Sequence, residues 1–164
     1  MTKNIISKIV ELENCSEENL SKAVYKSEIW EEISPVNEMK AEFRSPNVLY
    51  SEIIDRVAVL NYPIELQGEL VLTDKGVESD KGHLIEFNVR NNKDVKKLEG
   101  NLRIKNLQEN KVKIGVFIHT FLLESDFLNL VGKNAWELVL RTKITDLLRN
   151  LEKLCKERSI SNFL

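Results

Sequence analysis

Glu52 and Asp55, two carboxyl groups in an otherwise aliphatic segment, are the first candidates for acid–base chemistry in this sequence. A carboxylate that is held among apolar side chains loses hydration, so its pKa rises unless a donor or a cation compensates. Arg56 is the nearest cation along the chain. If Asp55 points inward, it can act as a base or orient a ligand's hydroxyl group. The alternative is a hydrated carboxylate at a strand edge or bulge.

The histidines and cysteines predict no metal site. They are widely separated, at Cys15, His83, His119 and Cys155. No close pair has zinc-ligand spacing, so we expect neither a metal nor a cofactor. His83 shares a strand phase with Ile85 and Phe87, so it points toward an interior cavity or lies at a hydrated strand end. No Ser or Cys stands in a nucleophile context, so no catalytic residue is assigned and Asp55, Glu52 and His83 remain weak candidates.

Composition and charge exclude several classes of protein. The chain has 164 residues, 42% of them hydrophobic and 30% charged, with a formal net charge of -2. These values are typical of a globular protein with one domain over 1–164, and we expect its tail, 158–164, to be weakly constrained. The charge favours no nucleic-acid partner, and the basic stretch 90–113 is interpreted as a hydrated sheet face. Without a membrane-length apolar run or a signal peptide, we expect a cytoplasmic protein, not integral to the membrane, with free thiols.

The elements that position these residues begin with a strand and two short helices. Alternation predicts a strand over 4–12. Ser16 has the character of an N-cap for a helix that runs to about Lys26, with carboxylates in its first turn. The apolar stripe then shifts, which indicates a second short helix from Ser27 that closes at Ser34-Pro35.

Six strands are predicted next from alternating apolar and polar residues. They are expected at 38–44, 48–60, 64–72, 85–90, 97–105 and 112–121, with a turn at 74–76 and a polar loop to Gly82. Short turns between consecutive strands require an antiparallel sheet. The inward face of 48–60 stays open, because each phase puts an ionisable group on the apolar side unless there is a bulge.

A long amphipathic helix is predicted over Asn134–Cys155, after a short helical turn within 125–131. Asn134 followed by Glu137 is a reciprocal capping pattern. One stripe of the helix is apolar and comprises Trp136, Leu140, Ile144, Leu147, Leu148, Leu151, Leu154 and Cys155. Lys143 is among the residues expected to face water. This helix needs a large apolar partner, which the sheet can supply in an α+β layered arrangement.

This order of elements resembles the START-like superfamily, also called the helix-grip or SRPBCC fold. The similarity covers residues 4–157 and rests on the element order and on Cys15-Ser16-Glu17-Glu18 and Ser27-Glu28-Ile29-Trp30, which resemble the family's two small helices. Within the superfamily, the chain is most similar to small uncharacterised archaeal proteins. The resemblance implies a seven-stranded curved antiparallel sheet wrapped around a long C-terminal helix, with a cavity that often holds an apolar ligand. The family shares no catalytic residues.

Gly68 and Gly100 lie in the inward phase of two strands, where a glycine fills no volume. They favour a hollow sheet over a filled core, with the half of the long helix after Gly132 as the cavity wall. The predicted ligand-binding residues are Trp30, Leu66, Gly68, Leu70, Ile85, Phe87, Gly100, Leu102, Ile114, Val116, Trp136, Leu140 and Ile144.

The favoured hypothesis is a carrier or sensor for a hydrophobic small molecule or lipid, monomeric or weakly dimeric, and not an enzyme. One alternative is an aromatase/cyclase-like enzyme, which requires Asp55, Glu52 or His83 to face the cavity. Another is a protein-interaction domain like the Hsp90-activator co-chaperones, which requires an exposed apolar patch, with 117–121 as its candidate.

Overall fold

A computed structural model of the protein describes residues 3–57, 60, 62–158 and 160–164. The strands are β1 (Ile6–Glu13), β2 (Glu38–Ser45), β3 (Val48–Asp55), β4 (Ile64–Glu78), β5 (Gly82–Arg90), β6 (Val95–Gln108) and β7 (Lys111–Leu123). The helices are α1 (Glu17–Ala23), α2 (Ser27–Ile33), α3 (Ser125–Leu128) and α4 (Lys133–Glu157), and a 3-10 turn follows at Ile160–Phe163.

The seven strands form one antiparallel sheet in the order β1-β7-β6-β5-β4-β3-β2. Every pair other than β1–β7 joins strands that are consecutive in the sequence, as short connections require. Helix α4 packs against β1 and α2, and its apolar side chains share a core with the sheet. The predicted α+β arrangement, a curved seven-stranded antiparallel sheet with a long C-terminal helix and two short helices after the first strand, is confirmed.

The short helices form where their capping residues predict. The Ser16 side chain accepts a hydrogen bond from the backbone N–H of Asn19 at 3.1 Å, which satisfies one free donor of α1. Helix α2 opens at Ser27 and ends before Ser34-Pro35. Their inner side chains, among them Leu20 and Ile29, join the main core with α4.

Strand β3 ends at Asp55, short of the predicted strand 48–60. Ala58 and Val59, in the remainder of that prediction, lie outside the described residues, as does Asn61 in the turn predicted after it. The open question of phase is resolved, because Asp55 is buried whereas Glu52 is exposed.

The predicted turn at 74–76 is wrong. Asp74 pairs with Ile85 and Gly76 pairs with Leu84, so the intervening Lys75 forms a bulge and β4 continues to Glu78. Gly76 has a φ of 85°, a conformation that favours glycine, and its N–H donates to Asp74 Oδ1 at 2.8 Å. The turn-forming residues bend the strand without ending it.

Helix α4 begins one residue before the predicted start and ends two residues later. Gly132, with a φ of 91°, is its N-cap, and the N–H of Trp136 donates to the Gly132 carbonyl. The helix therefore lacks the predicted Asn134 cap, because Asn134 is already inside the first turn. Beyond α4, Ile160 is buried in the main core. No helix in the described part of the chain is long and apolar enough to span a bilayer.

Candidate functional site

A cavity of about 300 Å³ lies between the inner face of the sheet and the N-terminal half of α4. Its wall is formed by β3, β4, the ends of β5, β6 and β7, and α3. Most of the lining residues are aliphatic or aromatic. The polar exceptions are few: Ser34, Ser51, Asp55, Gln67, Glu69, Asn92 and Lys143. Gln67, whose side chain donates to Glu52 on the outer face, borders the cavity through its backbone.

Seven of the residues singled out in the sequence line this cavity: Asp55, Leu66, Gly68, Leu70, Trp136, Leu140 and Ile144. Gly68 lies in the cavity wall beneath the Asn92 side chain, because a Cβ atom there would lie 3.0 Å from Asn92 Nδ2. The half of α4 that follows Gly132 is the cavity wall.

The other predicted ligand-binding residues lie elsewhere. They pack in or against the main core, with Ile85, Leu102, Ile114 and Val116 buried and Trp30 and Phe87 partly buried. Four of them, Trp30, Leu102, Ile114 and Val116, surround a void of only about 30 Å³ under α1 and α2. The two short helices fill the space above this part of the sheet, and strand periodicity alone does not reveal that.

Gly100 has a different role from Gly68. A Cβ atom there would lie 2.1 Å from the Phe117 carbonyl oxygen and 2.8 Å from Phe87 Cζ. The sheet has a bulge at this point, where the β6–β7 register shifts between Glu99 and Gly100. Gly100 therefore allows close approach of neighbouring groups and does not open onto the cavity.

Asp55 and Lys143 form an ion pair in the cavity wall. Asp55 is 5% exposed, and Lys143 Nζ lies 2.5 Å from its Oδ2 atom. The ammonium group also donates to the Pro35 carbonyl at 2.6 Å, which ties α4 to the end of α2. The compensating cation is thus Lys143 and not Arg56, which is exposed.

Lys143 is a site residue that the sequence analysis assigned to water. Its side chain is only 28% exposed. A signal was present, since Lys143 follows Trp136 by seven residues and two helical turns return to the same face. A long stem with a charged end at that position reaches inward when a buried carboxylate is available.

Trp136 closes one end of the cavity. It is buried, and its ring stacks on Phe127 with a centroid separation of 4.3 Å and an interplanar angle of 15°. Its indole N–H donates to the Phe127 carbonyl at 2.9 Å. These contacts, with Val57 and Ile64, form a small second core that fixes α3 and the start of α4.

Neither Glu52 nor His83 faces the cavity. Glu52 lies on the outer face, where its carboxylate accepts from Gln67 Nε2 at 3.2 Å. His83 bridges α1 and the sheet, with Nδ1 2.5 Å from Glu17 Oε1 and Nε2 2.7 Å from Asp74 Oδ1. Burial lowers the pKa of His83, but hydrogen bonds to the two carboxylates outweigh it, and the pKa is raised overall.

The thiols of Cys15 and Cys155 meet in the main core, away from the cavity. Both are buried and are not joined by a disulfide, and Asn14 Nδ2 donates to the Cys155 carbonyl at 3.1 Å. A hydrogen bond between the thiols lowers the pKa of Cys15 and raises that of Cys155, with burial opposing the first effect and adding to the second. The long separation in sequence concealed this contact.

The segment 117–121 crosses from one face of the sheet to the other. Phe117 lies on the outer face, whereas Phe121 lines the inner cavity because the β6–β7 bulge changes the phase between them.

Within the described residues, no group of three or more His, Cys, Asp and Glu side chains is placed to hold a metal ion.

No protein-family model matches this sequence, and no curated protein matches it significantly. Solved structures do resemble it. A Thermus thermophilus protein superposes with a TM-score of 0.68 and 12% identity, covering 92% of this chain and 96% of that one. A START superfamily protein from Mycobacterium smegmatis gives 0.64 and 14%, covering 94% and 99%. A Streptomyces aromatase/cyclase gives 0.59 and 8%, covering 92% and 89%. These similarities show that the chain has the START-like, helix-grip fold.

Proposed function

We propose that this protein binds a hydrophobic small molecule or lipid between the sheet and α4, as a carrier or sensor. The observation that carries the proposal is the cavity of about 300 Å³ with its almost wholly apolar wall. Pockets for small ligands begin at about this volume and are lined mainly by apolar groups with a few polar ones. An apolar cavity offers water too few partners, so an apolar guest is favoured.

Two of the similar solved structures support the proposal by the class of protein to which they belong. One is a START superfamily protein, and another is an aromatase/cyclase. We also propose that the chain is a single START-like domain, that it is cytoplasmic and monomeric or weakly dimeric, and that it has no nucleic-acid partner. The resemblance to archaeal START-like proteins stays a prediction.

Displacement of a hydrophobic dye, together with native mass spectrometry of the purified protein, tests the binding. Leu140→Trp places a large side chain in the cavity wall, and we expect it to weaken dye binding about ten-fold or more through lost volume and contacts. Leu138→Trp is the matched control, because Leu138 lies on the same helix and is 57% exposed.

The control variant should bind the dye like the unmodified protein. Circular dichroism establishes that both variants are folded. If folded Leu140→Trp binds the dye as tightly as the control does, the cavity is not the binding site and the proposal fails.

A second candidate function, a cyclase-like enzyme, is favoured by the Asp55–Lys143 pair in the cavity wall. The Asp55 carboxylate would take a proton from a carbon beside a ligand carbonyl. The electron pair would move onto the carbonyl oxygen, where the Lys143 ammonium stabilises the developing charge. The enolate carbon would then attack a second carbonyl of the same ligand, whose C=O π bond opens to an alkoxide that takes the proton back from Asp55.

Asp55→Asn separates the two candidate functions, with Glu52→Gln on the outer face as its control. If the protein is an enzyme, a ligand that is incubated with the unmodified protein or with Glu52→Gln should be recovered with a changed mass or spectrum. The same ligand incubated with Asp55→Asn should be recovered unchanged. A ligand that binds and returns unchanged from the unmodified protein would contradict the enzyme and leave the carrier.

A further inference from the structure

A second concave site lies on the outer face of the sheet, opposite to the cavity. It has a volume of about 330 Å³ and lies over β1, β7, β6 and the β4–β5 turn. We call it the basic groove and define it by Ile9, Asp80, Lys81, Arg103, Lys105, Lys113, Gly115 and Phe117.

Gly115 creates the depression. It pairs with Arg103 on one side and with Ile9 on the other. A Cβ atom there would lie 2.6 Å from Phe117 Cε2, so the Phe117 ring lies over the space that a side chain would fill. The groove thus has an aromatic ring and an aliphatic side chain next to a guanidinium group.

The charges of the groove are not balanced by the protein. Lys105 and Lys113 are directly opposite in the β6–β7 register, and like charges in that position are destabilising. Four cationic side chains line the groove against one carboxylate, that of Asp80. The Lys105 ammonium donates to the Asp80 backbone carbonyl at 3.0 Å, and so does not use that carboxylate.

Several other cations of the sheet have carboxylate partners. Arg90 pairs with Glu69 at 3.0 Å, and Lys75 pairs with Glu86 at 3.7 Å. Glu11 faces Lys113 in register, but its carboxylate pairs with Lys111 at 3.6 Å.

Across the described parts of the chain, no carboxylate lies within 4.0 Å of the side-chain nitrogens of Lys81, Arg103 or Lys113. Within the described residues, the cluster therefore lacks the close carboxylate partners that Arg90, Lys75 and Lys111 have. An external anion that bridges Lys105 and Lys113 would remove their repulsion.

We propose that the basic groove binds the phosphate group of a soluble phosphorylated small molecule. Arg103 supplies a planar fork that fits two phosphate oxygens, and the lysines supply further charge. Phe117 and Ile9 contact the organic part of the ligand. The small concave volume suits a soluble molecule, and the net charge of -2 on the whole chain does not favour an anionic membrane surface.

Isothermal titration calorimetry on the full chain tests the site with inorganic phosphate, pyrophosphate and phenyl phosphate as probes. We expect phenyl phosphate to bind more tightly than inorganic phosphate, because its ring adds apolar contact. Arg103→Gln should weaken binding about ten-fold or more, since it removes a charge-assisted hydrogen bond. Lys97→Gln is the matched control, on the same strand and face but paired with Glu99. It should change binding by less than about two-fold.

A second variant, Lys113→Gln, separates loss of binding from loss of folding. Lys113→Gln removes one member of the like-charge pair, so we expect its melting temperature to rise when no phosphate is present. Phosphate should raise the melting temperature of the unmodified protein and do so much less for Lys113→Gln.

Three results would overturn the proposal. One is the absence of binding heat with all three probes. Another is an equal loss of affinity in Arg103→Gln and Lys97→Gln, which would indicate diffuse surface charge. The third is co-sedimentation with phosphatidate vesicles without binding of any soluble probe, which would make the groove a membrane contact.

Discussion

The two halves of α4 face the same sheet, but their side chains lie in different environments. The C-terminal half buries Leu148, Leu151 and Leu154 in the main core with side chains of the sheet and of α1 and α2. The N-terminal half presents Leu140 and Ile144 to a cavity, where they remain only partly buried. One helix therefore provides both the anchor of the fold and the wall of the candidate site. The difference comes from its neighbours, because the short helices cover only one half.

The largest expected effect compares a truncation in each half. Leu148→Ala removes buried methyl groups from a close-packed region and should lower the free energy of unfolding by about 2–5 kcal/mol. Leu140→Ala should cost only about 1 kcal/mol, because its side chain already borders empty space and gives up fewer contacts. Urea denaturation of both variants measures the difference. Equal losses would mean that both halves are equally packed, and the comparison would fail.

The ion pair in the cavity half should give the next largest effect. Lys143→Met leaves Asp55 buried without its cation, which costs about 3–5 kcal/mol for a fully buried pair. Because Lys143 is 28% exposed, we expect a smaller loss of about 2 kcal/mol. Urea denaturation again measures the loss.

The double variant Asp55→Asn/Lys143→Met is the control for that experiment. It removes both charges, so we expect it to recover most of the loss. If the double variant is less stable than Lys143→Met alone, the buried charge of Asp55 is not the cause.

The element order could be predicted from the sequence because alternation and helical spacing are local signals. The phase of β3 and the bulge at Lys75 could not be predicted in the same way, since each depends on a partner far along the chain. Lys143 had a local signal in its spacing from Trp136, but its partner Asp55 is distant in the sequence.

The two inward glycines illustrate the limit. Gly68 and Gly100 look alike in the pattern, yet Gly68 lies in the cavity wall beneath Asn92, whereas Gly100 accommodates a bulge. The hollow region is therefore located by tertiary packing over the sheet.

The smallest expected effect is a pH dependence in the filled half, where His83 bridges α1 and the sheet. Its raised pKa means that the folded state holds the proton more tightly than the unfolded state does. This stabilisation is fully present below the ordinary histidine pKa of about 6.5 and is lost as the pH rises through the folded-state pKa. Urea denaturation over the range from about pH 6 to about pH 9 should therefore show a free energy of unfolding that falls as the pH rises. In His83→Gln the fall should be reduced, whereas in His119→Gln it should persist.

Dye binding should change little over the same range, because His83 lies outside the cavity. A parallel loss of dye binding would show that the anchor and the cavity wall are coupled through α4, and that the two halves do not act separately.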